Sequence, residues 1–195
     1  MRTLLNIILM SCIAISLLNC GGSKPLNETR TDPMPEWFTN TPQDPNFLYA
    51  ARTGTSRDLN LAIEKAVTAG RAEVARQYQL KVEGLTKSFQ EEIGSGEDSE
   101  INQLFSQTIK TVVSTELVGS RATKTTHVRD GANYRAFVLV EYPIGAANQA
   151  FMNALKANQN MYTRFRASES FKEMDNEIQK YEDWKKNQTQ SMSGQ

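Results

Sequence analysis

Tyr134-Arg135-Ala136-Phe137-Val138-Leu139-Val140-Glu141-Tyr142 is the stretch whose reading decides the fold. Tyr134, Ala136, Val138, Val140 and Tyr142 alternate onto one face, and Phe137 and Leu139 fall on the other. A strand apolar on both faces is covered on both sides, so it takes a central place in a sheet. Asp130-Gly131 precedes it and supplies a tight turn. Before the turn, Leu117 to Arg129 alternates and is rich in Thr, Val, Arg and Lys. The two runs predict a β-hairpin whose first strand, being more polar, lies at an edge. Pro143 ends the sheet.

A third strand is expected at Asn46 to Arg52, with Gly54-Thr55-Ser56 turning the chain after it. Ser56 or Asp58 then caps a helix, because its side-chain oxygen can accept the free amide hydrogens of the first turn. Ile63, Val67, Gly70, Val74 and Tyr78 recur at spacings of three and four, with Ala62, Ala66, Ala69 and Ala72 beside them. Such a face is apolar but shallow, so the helix can lie close against a sheet. A second helical pattern carries Leu85, Phe89 and Ile93, and Gly94-Ser95-Gly96 breaks it. Ser99 is expected to cap a third helix bearing Ile101, Leu104, Phe105, Ile109, Val112 and Val113. From Gly145 the pattern is helical to about Trp184. Phe171, Met174, Ile178 and Tyr181 form its later apolar set, which packs on the domain or pairs with a second chain. The expected fold is α+β: about three antiparallel strands packed against an alanine-rich helix, with further helices and a long C-terminal one.

The amino-terminal end reads differently. Arg2 precedes an apolar run, Leu4 to Leu18, whose only polar members are Asn6, Ser11 and Ser16. At about fifteen residues it is shorter than the ~20 that a spanning helix needs. Leu17-Leu18-Asn19-Cys20 follows, then Gly21-Gly22-Ser23. A basic start, a short apolar segment and a cleavage site make a secretory signal. A cysteine at that site resembles the lipobox of bacterial lipoproteins, and Asn19 before it resembles the relaxed lipoboxes of spirochaete-type bacteria. Residues 1–19 are therefore expected to be a signal peptide. Cys20 becomes the lipidated first residue, carrying acyl chains such as palmitate. One chain holds a protein reversibly, and more than one holds it firmly. Residues 20–34 read as a flexible tether spanning roughly 20 Å, residues 35–186 as one α+β domain, and residues 187–195 as a disordered tail.

Composition bounds the function. Basic and acidic residues number 22 each, without the basic excess usual in nucleic-acid binders. Cys12 leaves with the signal and lipid consumes Cys20. No thiol then remains for a disulfide or a zinc site. His127 is the only histidine. It sits in an alternating strand with Arg121, Thr123, Thr125 and Arg129, and no Gly-x-Ser-x-Gly elbow accompanies it. The acidic cluster Glu91, Glu92, Glu97, Asp98 and Glu100 lacks EF-hand spacing and reads as a solvated loop. Gly54-Thr55-Ser56 precedes a helix, where an anion can sit, but no Walker lysine is present. Arg121, Lys124 and Arg129 offer a basic strand face, a pattern that also protects a sheet edge from aggregation. No catalytic residue, metal or cofactor is expected.

Trp37 and Phe38, between prolines, latch an irregular segment onto the core or offer a partner an aromatic contact. Phe171 and Ile178 are the other candidate contacts, through self-association of the C-terminal helix.

Taken together, Pro35-x-Trp37, Asp44-Pro45-Asn46, Phe47-Leu48-Tyr49-Ala50, the helix segment Ala69 to Gln77 and Phe137-Val138-Leu139-Val140 resemble the bacterial Lpp-twenty family of twenty-kilodalton membrane-associated lipoproteins. The resemblance covers roughly residues 35 to 143. Where family members carry a glycine after Tyr-Ala, this chain has Ala51-Arg52-Thr53-Gly54. The resemblance implies a helix packed on an antiparallel sheet and brings no catalytic motif. The resulting expectation is a non-enzymatic, lipid-anchored envelope protein, most readily of the outer membrane, with an envelope protein as partner. Two other readings stand beside it: an accessory subunit of a flagellar or cell-wall assembly, and an enzyme acting on envelope glycan or lipid.

Overall fold

The computed structural model describes residues 34–96, 98–115 and 120–193. The expected signal peptide, Cys20, nearly all of the tether and Glu97 lie outside these residues. In chain order the elements are α1 (Glu36–Thr39), β1 (Phe47–Ser56), α2 (Leu59–Glu92), α3 (Ser99–Thr115), β2 (Arg121–Asp130), β3 (Asn133–Pro143), α4 (Ile144–Leu155), α5 (Gln159–Arg166) and α6 (Glu169–Ser193). The architecture is α+β, as the alternation and helical periodicities require.

Three antiparallel strands lie in the order β1-β3-β2, so β3 is central. Gly131 has φ +60° and starts the two-residue turn between Asp130 and Asn133, a position that demands glycine. Val138 and Val140 are fully buried beneath α2. Phe137 is buried on the opposite face, where Phe38 of α1 meets it edge-on at 5.1 Å between ring centres. Trp37 in turn contacts Phe38 at 6.2 Å. In the folded chain these two aromatic residues form the latch.

β1 is longer than its sequence pattern. Gly54-Thr55-Ser56 does not turn the chain but continues the strand, with Gly54 opposite Ala136. A Cβ on Gly54 would stand 2.2 Å from the carbonyl oxygen of Ala62. This glycine serves close approach of strand and helix, not a turn. Asp58 is the helix cap, accepting from the Leu61 amide at 2.8 Å.

α2 is one helix of 34 residues, not two. Its rise of 1.5 Å per residue makes it about 51 Å long. Tyr78 and Val82 carry the buried stripe straight through the segment where two helices were expected. Gly84 lies in open space and breaks nothing. The stripe itself is rotated from its expected centre. Ala62, Ala66 and Gly70 are fully covered, whereas Ile63 and Val67 are half-buried and Ala72 is exposed. A Cβ on Gly70 would meet Val140 Cγ2 at 2.5 Å, so the small residues bring the helix axis down onto the sheet.

The carboxyl-terminal half of α2 packs with α3 to α6. Phe165 is its hub, with Phe89 at 5.2 Å, Phe105 at 5.4 Å and Phe171 at 5.9 Å between ring centres. The helical run after Pro143 is broken twice. Asn158 caps α5 by accepting from the Met161 amide at 3.0 Å. Ser168 Oγ accepts from the Phe171 amide at 3.1 Å as α6 begins. Each side chain offers the backbone a local partner and so starts a new helix. Across the bundle, Lys81 of α2 pairs with Glu177 of α6 at 3.0 Å, and buried Asn148 of α4 donates to the same carboxylate at 2.6 Å. Burial pulls the Lys81 pKa down, but Glu177 and Glu173 outweigh it and hold the ammonium above its usual value.

The disorder expected from Asn187 is not observed, because α6 runs on to Ser193. No glycine or proline interrupts it before Gly194. Lys185 pairs with Glu182 one turn back, and Thr189 and Ser191 bond to carbonyls of the preceding turn.

Candidate functional site

The concave region of interest lies where the end of the sheet meets α4 and α6. Its floor depends on register. β2 pairs regularly with β3 except between Ala122 and Lys124, where Thr123 is an extra residue. A one-residue bulge flips the alternation of everything beyond it. Arg121 therefore does not share a face with His127. It stands opposite Glu141, on the sheet face turned away from α2, and reaches that carboxylate at 3.4 Å.

The wall is set by a close helix contact. A Cβ on Gly145 of α4 would lie 2.3 Å from the carbonyl oxygen of Glu177 and 2.4 Å from Cβ of Tyr181. Glycine at this point lets α6 lie directly on α4. That brings Tyr181 and Trp184, one turn apart, to the rim. Their rings are 19° from parallel, with centres 5.9 Å apart. Trp184 meets Phe47 of β1 at 5.7 Å, and Phe47 meets Tyr49 at 6.0 Å. Four aromatic side chains thus form one ridge from the strand onto the helix.

Depressions flank the ridge. One holds about 490 Å³ between Arg121, Glu141, Gln149, Asn153, Tyr181 and Trp184. A shallower one of about 610 Å³ lies between the Thr41–Pro45 segment, Phe47, Tyr49 and Gln77. A small one of about 110 Å³ joins Asp44, Phe47, Lys180 and Trp184. Burial, with Glu141 and Asp44 adding to it, raises the Tyr49 pKa and keeps the phenol protonated. Lys185 lies over the Tyr181 ring at 4.9 Å and bonds Glu182, holding that carboxylate below its usual range. Gln149 donates to the same carboxylate at 3.2 Å.

The residues singled out from sequence fall elsewhere. His127 is exposed on β2, 6.2 Å from the Tyr134 ring, and Asp130 pairs with Arg135 at 2.6 Å. The acidic cluster is not merely solvated. Glu92 accepts from the amides of Glu169 and Ser170, capping α6 from another helix. Asp98, not Ser99, caps α3 through the amides of Glu100 and Ile101. Phe171 packs on Phe165 and Tyr162, and Ile178 packs against the core, so both serve intramolecular packing. Among the described residues there is no cluster of three metal-ligating side chains. No described helix is long and apolar enough to cross a membrane.

The aromatic ridge escaped the sequence reading. Its one local signal was Trp184 continuing the three-four-three set one turn past Tyr181. Comparison with protein-family models, curated proteins and solved structures gave no match.

Proposed function

We propose that this chain is a bacterial envelope lipoprotein, moored by acyl groups on Cys20, that acts by presenting a binding surface near the membrane and not by catalysis. The observation that carries this reading is the basic, short, apolar segment ending in Leu17-Leu18-Asn19-Cys20 and followed by a glycine- and proline-bearing stretch. The similarity to the Lpp-twenty lipoproteins supports it and favours the outer membrane. The aromatic ridge supports a binding role, since partly exposed aromatic side chains combine large contact area with polar tips.

The test is expression of the intact chain in a lipoprotein-processing bacterium. Mass spectrometry should find an amino terminus at Cys20 carrying acyl groups. A Cys20→Ala variant should leave the detergent phase and the membrane pellet. An unacylated mature terminus elsewhere, or unchanged sedimentation of the variant, rejects the proposal.

The accessory-subunit reading draws on a separate observation. β2 is exposed on most of its length and leaves one sheet edge open. Crosslinking in intact cells from positions on β2, with identification of the captured protein, tests that reading.

A further inference from the structure

We infer that the cleft between Arg121, Glu141, Gln149, Asn153, Tyr181 and Trp184 binds a short, neutral oligosaccharide. This goes beyond membrane anchoring and does not depend on it.

Size comes first. About 490 Å³ falls within the roughly 300–1,000 Å³ of ligand clefts. Chemistry comes next. A sugar ring has apolar C–H faces and a rim of hydroxyls that both donate and accept. The cleft presents matching groups: aromatic rings at Tyr181 and Trp184, and amides at Gln149 and Asn153 that also donate and accept. Neither the Tyr181 hydroxyl nor the Trp184 indole N–H has a hydrogen-bond partner among the described residues, and Asn153 is exposed.

Charge decides between ligand classes. Arg121 is matched by Glu141 at 3.4 Å, and Lys185 by Glu182 at 3.0 Å. The two charged side chains of the lining, Arg121 and Glu141, pair with each other, so the lining itself carries no net charge. A phosphate or polyanion would meet the Glu141 carboxylate beside the one cation of the lining. A neutral polyol can bond to both members of each pair without breaking it. The rigidity of the site fits this role. Gly145 locks α6 onto α4, and Phe47 holds Trp184 from behind, so the aromatic surface is formed before any ligand arrives.

The experiment uses the full chain in detergent, titrated with chitotetraose and, separately, maltotetraose, by calorimetry and tryptophan fluorescence. At least one of the two should bind, and tighter binding of chitotetraose would point to cell-wall glycan as the source. Trp184→Ala and Gln149→Ala should each weaken binding about tenfold. Trp37→Ala, on the opposite sheet face from α2 and against Phe38, should leave it unchanged. Circular dichroism confirms that each variant is folded. Asn153→Ala, at an exposed position, serves if Trp184→Ala does not fold. The inference is overturned if neither sugar binds at millimolar concentration. It is equally overturned if folded cleft variants bind like the parent, or if inorganic phosphate competes with the sugars.

Discussion

The two ends of α2 are built from side chains of opposite size. Toward its amino terminus the buried positions are Ala62, Ala66 and Gly70, and the helix lies almost in backbone contact with β1 and β3. Toward its carboxyl terminus they are Tyr78, Val82, Leu85 and Phe89, and the neighbours are helices held apart by aromatic rings. One end is stabilised by backbone proximity and has little volume to lose. The other is stabilised by large buried side chains and has no tolerance for a void. Yet both share a single uninterrupted helix, so a defect at either end should reach the other.

The largest expected effect comes from emptying the aromatic end. Phe165→Ala removes the ring that touches Phe89, Phe105, Phe151 and Phe171, at a cost of about 3–5 kcal/mol. Urea unfolding followed by circular dichroism measures it. A loss under about 1 kcal/mol would mean that the neighbours collapse into the space.

The sheet end should fail by overpacking instead. Gly54→Ala places a methyl group 2.2 Å from a main-chain oxygen that a rotamer change cannot move, and should cost about 2–3 kcal/mol. Hydrogen exchange sharpens the comparison. If α2 couples the two ends, Gly54→Ala should reduce protection in α5 as well as in β3. Protection lost in β3 alone would make the ends independent units.

The smallest effect is electrostatic and confined to the sheet end. Glu73 accepts from Arg76 and Gln77 and faces Arg52 at 2.8 Å, which lowers its pKa from 4.5 to about 2. The folded state therefore holds the proton more weakly than the unfolded state. The resulting stabilisation is complete above pH 4.5 and fades as the pH falls toward 2. With Arg76 in open solvent the contribution should be about 1 kcal/mol. Glu73→Gln should flatten the acid limb of the stability profile by that amount and leave the neutral-pH fold intact. An unchanged acid limb would show that solvent screens the cluster.

Much of the sheet was legible from local pattern. β3 had to be central because both of its faces are apolar, and Gly131 had to make the turn because the position needs positive φ. The candidate cleft was not legible. Arg121 appeared to share a face with His127 until Thr123, as one extra residue, reversed the parity. Such a slip is set by how β2 meets β3, and no spacing within β2 records it. The meeting of Trp184 with Phe47 spans most of the folded chain.

By itself, the sequence determined the elements whose cause is local: the alternation of β3, the turn glycine, a helix start at Ser56 or Asp58 and the apolar run from Leu4 to Leu18 before Cys20. Only the tertiary structure decided that α2 is continuous, that Gly54 and Gly145 serve close packing, and that α6 carries an aromatic pair to the end of the sheet. The physical reason is range. Periodicity and capping act within a turn or two of chain, whereas a cleft is made by surfaces that meet only after the core has closed.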